Sequence, residues 1–265
     1  MASTEATLYE VREGAAWITL NRPENRNALS AVLVNELFDH IQGALADDAV
    51  RSIVITGAAP AFCAGADLKS PPGEIVDGQR SVPYTDVMGA ILESPKPVIA
   101  AVNGPAFAGG LGLVGAADIV VIAEEAQCSF SEVRIGVIPA VISVVCLPKL
   151  GVHHGMKLFL TGERFNGSQA VTMGLAHRAV PRAQLAEAVQ EEVEMINLGG
   201  PIAVTECKKL VRRVPELSVE EGFEVTSEWS GRMFRSAEAA EGMAAFREKR
   251  KPSWVAAQGS KTGET

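Results

Sequence analysis

Apolar and polar positions change their period along this chain, and each change marks an element. Residues 17–20 form a short apolar run closed by the polar turn Asn21-Arg22-Pro23-Glu24-Asn25, which reads as a strand and its exit. Leu29, Leu33, Leu37, Ile41 and Leu45 then recur at every fourth position, which predicts a helix with that stripe inward and Ser30 as its N-cap. Residues 53–55, 98–102 and 119–122 are apolar throughout rather than alternating, so each is expected to be a strand covered on both faces. Strands that alternate with helical patterns favour an α/β core. After about residue 150 the pattern turns helical. Residues 168–173 predict a short helix capped by Ser168 and stopped by Gly174, and residues 185–196 a charged amphipathic helix. Residues 202–214 follow Gly199-Gly200-Pro201, Ser218-Val219-Glu220-Glu221 is a capping box, and residues 236–250 form a last helix. The expected organisation is a mixed core over residues 1–198 and a helical region over 199–265.

Two glycine-broken turns interrupt the strand pattern: Ala61-Phe62-Cys63-Ala64-Gly65-Ala66-Asp67-Leu68-Lys69, and Asn103-Gly104-Pro105-Ala106-Phe107-Ala108-Gly109-Gly110-Leu111-Gly112. Each follows a β-rich run and is small enough for another group to lie against its backbone. Bare N–H groups from two such turns can converge on one oxygen and hold negative charge there, as enolate chemistry requires. Tight packing between layers is the simpler use for either turn alone; the pair favours the chemical use. Residues 110–115 also match G-x-G-x-x-G, but the glycines do not follow a strand directly and no acidic residue ends a second strand, so a dinucleotide site is not expected. The four histidines, His40, His153, His154 and His177, form no ligand-like or triad-like spacing, and no metal site is expected.

Composition narrows the partners. The net charge is −8, which argues against nucleic acid or an anionic membrane as the main partner. Residues 97–123 are apolar, but Pro105, five glycines, Asn103 and Asp118 break the run, so no membrane span is expected. Four scattered cysteines without C-x-x-C spacing and a polar N-terminus fit reduced thiols in a cytoplasmic protein.

A third element is Ser131-Glu132-Val133-Arg134-Ile135-Gly136-Val137-Ile138-Pro139. A Glu132 turned inward would carry a raised pKa and could shuttle protons, whereas an outward Glu132 would be an ordinary surface carboxylate; spacing alone leaves both open.

Together these segments resemble the crotonase superfamily, the enoyl-CoA hydratases, isomerases and their relatives. The likeness also takes in Leu20-Asn21-Arg22-Pro23, Asn27-Ala28-Leu29, Leu160-Thr161-Gly162, residues 170–175, and residues 236–254 with Glu238-Ala239, Glu241-Gly242-Met243, Phe246 and Lys249-Arg250. It implies a spiral of ββα repeats with a helical C-terminal region that builds homotrimers or hexamers. It implies that Ala66 and Gly109 form an oxyanion hole for an acyl-CoA thioester, with no cofactor beyond the coenzyme A of the substrate. Ala28 and the backbone of Ala64, Ala66, Asp67, Leu68 and Lys69 would hold the coenzyme A, and Lys249 would meet a phosphate or simply complete a helix C-terminus. Hydratases of this kind carry two catalytic glutamates. Glu132 matches the second, but the first position is Gly112 here. Residues 132–143 look like the hydratase branch acting on branched or dicarboxylic enoyl-CoAs, in which glycine also occurs at the first position. A substrate carboxylate or a second water is expected to fill the space at Gly112. Three readings follow: a hydratase, a Δ3,Δ2-enoyl-CoA isomerase working with one glutamate, and an inactive acyl-CoA binder. The Gly- and Pro-rich residues 70–84 are expected to set acyl preference.

Overall fold

The computed structural model describes residues 5–69 and 80–255. Most of the segment expected to set acyl preference, residues 70–79, lies outside the described residues. The chain divides by contact into Met1–Val193 and Glu194–Thr265. The sequence expectation put its boundary a few residues later, at the end of the same helix.

The first unit is built on a six-stranded sheet in the order β1-β2-β3-β4-β6-β8. Its strands are β1 (Thr7–Arg12), β2 (Ala15–Leu20), β3 (Ser52–Gly57), β4 (Val98–Val102), β6 (Ile119–Ala123) and β8 (Arg178–Val180). β1 runs antiparallel to β2, and every other neighbour is parallel. A second, two-stranded sheet pairs β5 (Ala106–Phe107) with β7 (Cys128–Ser129).

Parallel strands need cover on both faces. Ile18, Ile53, Ile55, Val98, Ala100, Val120 and Ile122 point into the main core. There they join the stripe of α1 (Ala31–Ala46), the inner faces of α2 (Tyr84–Glu93) and α3 (Gly109–Ala116), and Ile142, Val145, Cys146 and Leu150 of α4 (Ala140–Thr161). The alternate positions Trp17, Val54, Ile99 and Val121 are buried as well, as are Leu185, Ala188, Val189 and Val193 of α6 (Leu185–Leu198). α1 begins as the pattern predicts, with the Ser30 side chain accepting from the Leu33 N–H.

The short helix α5 (Gly167–Thr172) corrects one expectation. Its N-cap is Asn166, not Ser168, because Asn166 and Gln169 exchange the two hydrogen bonds of a capping box. Gly174 still ends it, in the left-handed region at φ 81°. α4 is broken at Gly151, whose φ of 66° and ψ of 168° are not helical, so His153 and His154 open its second segment.

The second unit holds α7 (Pro201–Arg213), α8 (Val219–Phe234) and α9 (Ala237–Glu248). Ser218 and Glu221 form the expected capping box. Among the described residues no helix is long and apolar enough to cross a membrane, no group of three or more His, Cys, Asp or Glu side chains is placed to hold a metal ion, and all four cysteines are free thiols.

Candidate active site

Backbone pairing brings the two glycine turns and Glu132 to one place. Leu29 bridges to Ala66, and Cys63 to Ala106. β5 and β7 then pair Ala106 with Cys128 and Phe107 with Ser129 in parallel. The residues that follow these strands, Ala108–Gly109 on one and Phe130–Glu132 on the other, therefore leave the same edge side by side.

The Ala66 N–H is directed by its bridge. The Leu29 N–H donates to the Gly65 carbonyl at 2.8 Å and the Asp67 N–H to the Leu29 carbonyl at 3.1 Å, the parallel pattern that turns the intervening Ala66 N–H the other way. Gly109 opens α3, where an N–H has no partner within the helix. Neither group donates to any described residue. A Cβ built on Gly109 would lie 3.6 Å from the Ala66 nitrogen, and one built on Gly65 would lie 3.4 Å from the Gly109 nitrogen. Two free N–H groups thus share one patch, at a helix N-terminus whose dipole favours an anion.

That patch is reached through strained backbone. Ala108 sits at φ 48° and ψ −121°, a region that costs a residue with a Cβ about 1–3 kcal/mol. Its N–H is held by the Ser129 carbonyl at 3.0 Å. Close approach also requires Gly110, because a Cβ there would lie 2.5 Å from the Cys63 carbonyl oxygen.

Glu132 lies in the 3-10 turn Ser131–Ile135 directly after β7. The side chain is half-buried, and its Oε2 is buried with no hydrogen-bond partner. Burial pushes the carboxyl pKa up, opposed only by a hydrogen bond from its own backbone. A carboxylate with one oxygen left without a partner, in a place that costs it hydration, is a ready proton acceptor.

The space expected at Gly112 is tightly bordered. A Cβ at Gly112 would already lie 2.7 Å from Ile142 Cγ2, 2.9 Å from the Tyr84 hydroxyl and 3.1 Å from Met88 Sδ. The place a side chain at position 112 would take is bordered by two apolar side chains and one phenol. Sequence reasoning gave Met88 no role, and it held Tyr84 and Ile142 only as members of the longer segments 70–84 and 132–143, without placing either beside Gly112. Gly112→Glu is therefore expected to lower the melting temperature by several degrees and leave turnover no faster. Trimming Ile142 to Ala in the same chain should restore part of the stability, read by thermal denaturation.

The residues assigned to coenzyme A lie along the first turn. Ala28 is buried and its N–H points back to Asn25. The N–H of Ala64 donates to the Arg26 carbonyl, that of Asp67 to Leu29, and that of Lys69 to its own neighbour's carboxylate on Asp67. The Ala28 carbonyl accepts from the Ser30 N–H at 2.9 Å, whereas no described residue donates to the carbonyls of Ala64, Asp67 and Lys69. Leu68 is exposed at the lip. Lys249 belongs to the second unit, where it caps α9 in the left-handed conformation at φ 55°.

The turn is braced by Asn27, to which the sequence reading gave no role. It is fully buried, and its side-chain amide donates to the Ala58 and Ala61 carbonyls, each at 2.8 Å, while its Oδ1 accepts from the Arg22 N–H at 2.9 Å. Asn27→Ala leaves these buried carbonyls and an N–H without partners and is expected to cost about 2–4 kcal/mol in urea denaturation.

A mixed α/β unit thus places two free backbone N–H groups in one patch, with a carboxylate whose Oε2 is buried and unpartnered on the neighbouring strand exit. The sequence profile of the enoyl-CoA hydratase/isomerase family matches residues 10–257. The chain belongs to that family, within the crotonase superfamily. It is 34% identical to the carnitinyl-CoA dehydratase of Proteus mirabilis, with 89% of this chain and 93% of that one aligned. It is 33% identical to the enoyl-CoA hydratase EchA19 of Mycobacterium tuberculosis, over 96% of this chain and 99% of that one. The crystal structure of an enoyl-CoA hydratase from Mycobacterium smegmatis superposes with a TM-score of 0.85 at 30% identity, covering 95% of this chain and 99% of that one.

Proposed function

We propose that this protein is an enoyl-CoA hydratase that adds water across the 2,3 double bond of an acyl-CoA with Glu132 as its one acid/base group. The observation that carries this reading is the buried, unpartnered Glu132 Oε2 at the edge where the two N–H groups also emerge. The thioester oxygen accepts from the Ala66 and Gly109 N–H groups. Glu132 takes a proton from water as the water oxygen bonds to C3, and the electron pair of the double bond moves onto the thioester as an enolate. The same carboxyl then returns that proton to C2, so one group on one face gives syn addition. A raised pKa suits both halves of this cycle. The carbonyls of Ala64, Ala66, Asp67 and Lys69 are suited to the amide and adenine donors of coenzyme A. Exposed Val211, Phe223, Phe234 and Phe246 support assembly into trimers through the helical unit, where Lys249 would meet a coenzyme A phosphate.

The tightly bordered position at Gly112 favours a second reading. An isomerase needs only one base, which removes a proton from C2 of a 3-enoyl thioester and returns it at C4, with no water to place. The test is mass spectrometry of 2-enoyl- and 3-enoyl-CoAs incubated with the protein in heavy-oxygen water. One labelled oxygen per 2-enoyl-CoA supports the hydratase. A shifted double bond without oxygen uptake replaces it with the isomerase, and no turnover of any acyl-CoA that binds leaves a binding protein.

A further inference from the structure

α3 bears the Gly109 N–H yet is a poor helix by composition. Its sequence, GGLGLVGA, holds four glycines, each costing about 1 kcal/mol relative to alanine. It has no side-chain cap at its N-terminus, and the residue before it, Ala108, is strained. The glycines cannot be exchanged for better helix formers, since a Cβ at Gly110, Gly112 or Gly115 would lie 2.5–2.7 Å from a neighbouring atom. α3 carries no polar side chain of its own. Three side chains from elsewhere hold its carbonyls instead: Tyr84 at Gly109, Cys146 at Leu111, and Lys149 at Val114 and at Ala117 just beyond the helix.

Of these bonds, the one at Gly109 lies nearest the proposed hole. The Tyr84 hydroxyl donates to the Gly109 carbonyl at 2.6 Å. Tyr84 itself is placed firmly: it opens α2 after Pro83, with Val87, Met88 and Ile91 of that helix buried in the core. Burial holds the phenol pKa well above its ordinary value, so the group is a proton donor throughout the working pH range and not an acid/base catalyst.

We propose that Tyr84 is a positioning residue for the oxyanion hole: by anchoring the Gly109 carbonyl it limits rotation at the Gly109 Cα, against the strain at Ala108, so that the adjoining Ala108–Gly109 peptide keeps its N–H aimed at the thioester oxygen. This inference rests on the oxyanion reading of Ala66 and Gly109. A hydrogen bond that prevents small rotations of a preorganised donor matters most in the transition state, where charge on the oxygen is largest. Its loss should therefore lower kcat while leaving the binding of a saturated acyl-CoA unchanged.

The variant is Tyr84→Phe, assayed for turnover of crotonyl-CoA and for binding of [1-13C]butanoyl-CoA, whose carbonyl stretch is read by isotope-edited infrared spectroscopy. In the wild type the band should move to lower frequency on binding, as two donors polarise the carbonyl. In Tyr84→Phe the band should lie closer to that of free ligand, with kcat down about tenfold to a hundredfold and butanoyl-CoA affinity within twofold. Cys146→Ala, which removes the thiol at the Leu111 carbonyl of the same helix, should lower the melting temperature without moving the band. A Tyr84→Phe protein with wild-type kcat and band overturns the proposal and leaves the oxyanion reading intact. A wild-type band that does not move on binding overturns both. An equal band shift in Cys146→Ala shows general loosening of α3 and overturns the specific role. If Tyr84→Phe does not fold, wild-type protein labelled with 3-fluorotyrosine supplies the second measurement. Of its two tyrosine resonances, that of Tyr84 should move on butanoyl-CoA binding and that of Tyr9 should not; a stationary Tyr84 resonance overturns the proposal.

Discussion

Replacing Glu132 with Gln is expected to lower kcat by about 10²–10⁴-fold on whichever enoyl-CoA the protein turns over, because Glu132 is the single proton carrier in the proposed mechanism. Gln keeps the shape and hydrogen-bonding reach but cannot accept a proton. The affinity for saturated acyl-CoAs should hardly change. The pH profile gives an independent sign. Burial raises the Glu132 pKa above the ordinary glutamate value, and the base must be ionised to start the reaction. Activity should fall as pH drops through that raised value, at a higher pH than an exposed glutamate would give, and the residual activity of Glu132→Gln should lose this limb. Stability moves the opposite way. A carboxyl whose pKa is raised in the folded protein stabilises the fold most when protonated, and that contribution fades as pH rises through the folded pKa. At neutral pH the wild type therefore carries an ionised group in a costly place, and Glu132→Gln should melt at a higher temperature while catalysing less. A variant that keeps full turnover would sink the mechanism.

Gly110→Ala is the second large effect expected. Gly110 has ordinary helical backbone, so the substitution tests distance and not φ. The new methyl would sit 2.5 Å from the Cys63 carbonyl oxygen and 2.9 Å from Cys63 Cβ. Both belong to the first turn, and one is backbone, so neither can swing aside. The two turns must part by a large fraction of an ångström, which draws the Gly109 N–H off the point it shares with Ala66. Loss of one donor of this kind costs about 3 kcal/mol of transition-state stabilisation, or a factor of 10² to 10³ in kcat. Steady-state kinetics beside an acyl-CoA titration separates this from a loss of binding. Overpacking should also lower stability by about 1–3 kcal/mol.

What the sequence made legible follows from how each element is buried. α1 was readable because Leu33, Leu37 and Ile41, together with Ala31, Val34 and Ala44, form a buried face while polar positions such as Asp39 and Gln42 do not. β4 was readable because all five of its residues are buried. β1 was not, since only Thr7 is buried and the strand is an edge made of polar and apolar residues alike. The first segment of α4 escaped for a different reason, whereas a helix opened by His153 and His154 was expected. Ile142, Cys146 and Leu150 face inward, yet Val141 and Val144 are exposed, so the stripe dissolves, and Pro148 and Gly151 read as breaks. At the site, the backbone part could be read, because glycines mark where chains approach closely. The side chains that fill the position beside Gly112 could not. Tyr84, Met88 and Ile142 arrive from α2 and from the first segment of α4, which the periodicity failed to show.

The bridges that join Leu29 to Ala66, Cys63 to Ala106 and β5 to β7 have a consequence for how such a protein can diverge. They hold the charge-stabilising half of the chemistry in peptide groups, which every amino acid possesses. Point substitution can jam these groups through an added Cβ, but it cannot delete them. In the proposed mechanism the proton-handling half resides in the side chain of Glu132, which a single codon change can remove. On that reading the reaction type can drift while the backbone groups that would hold an enolate persist with the fold.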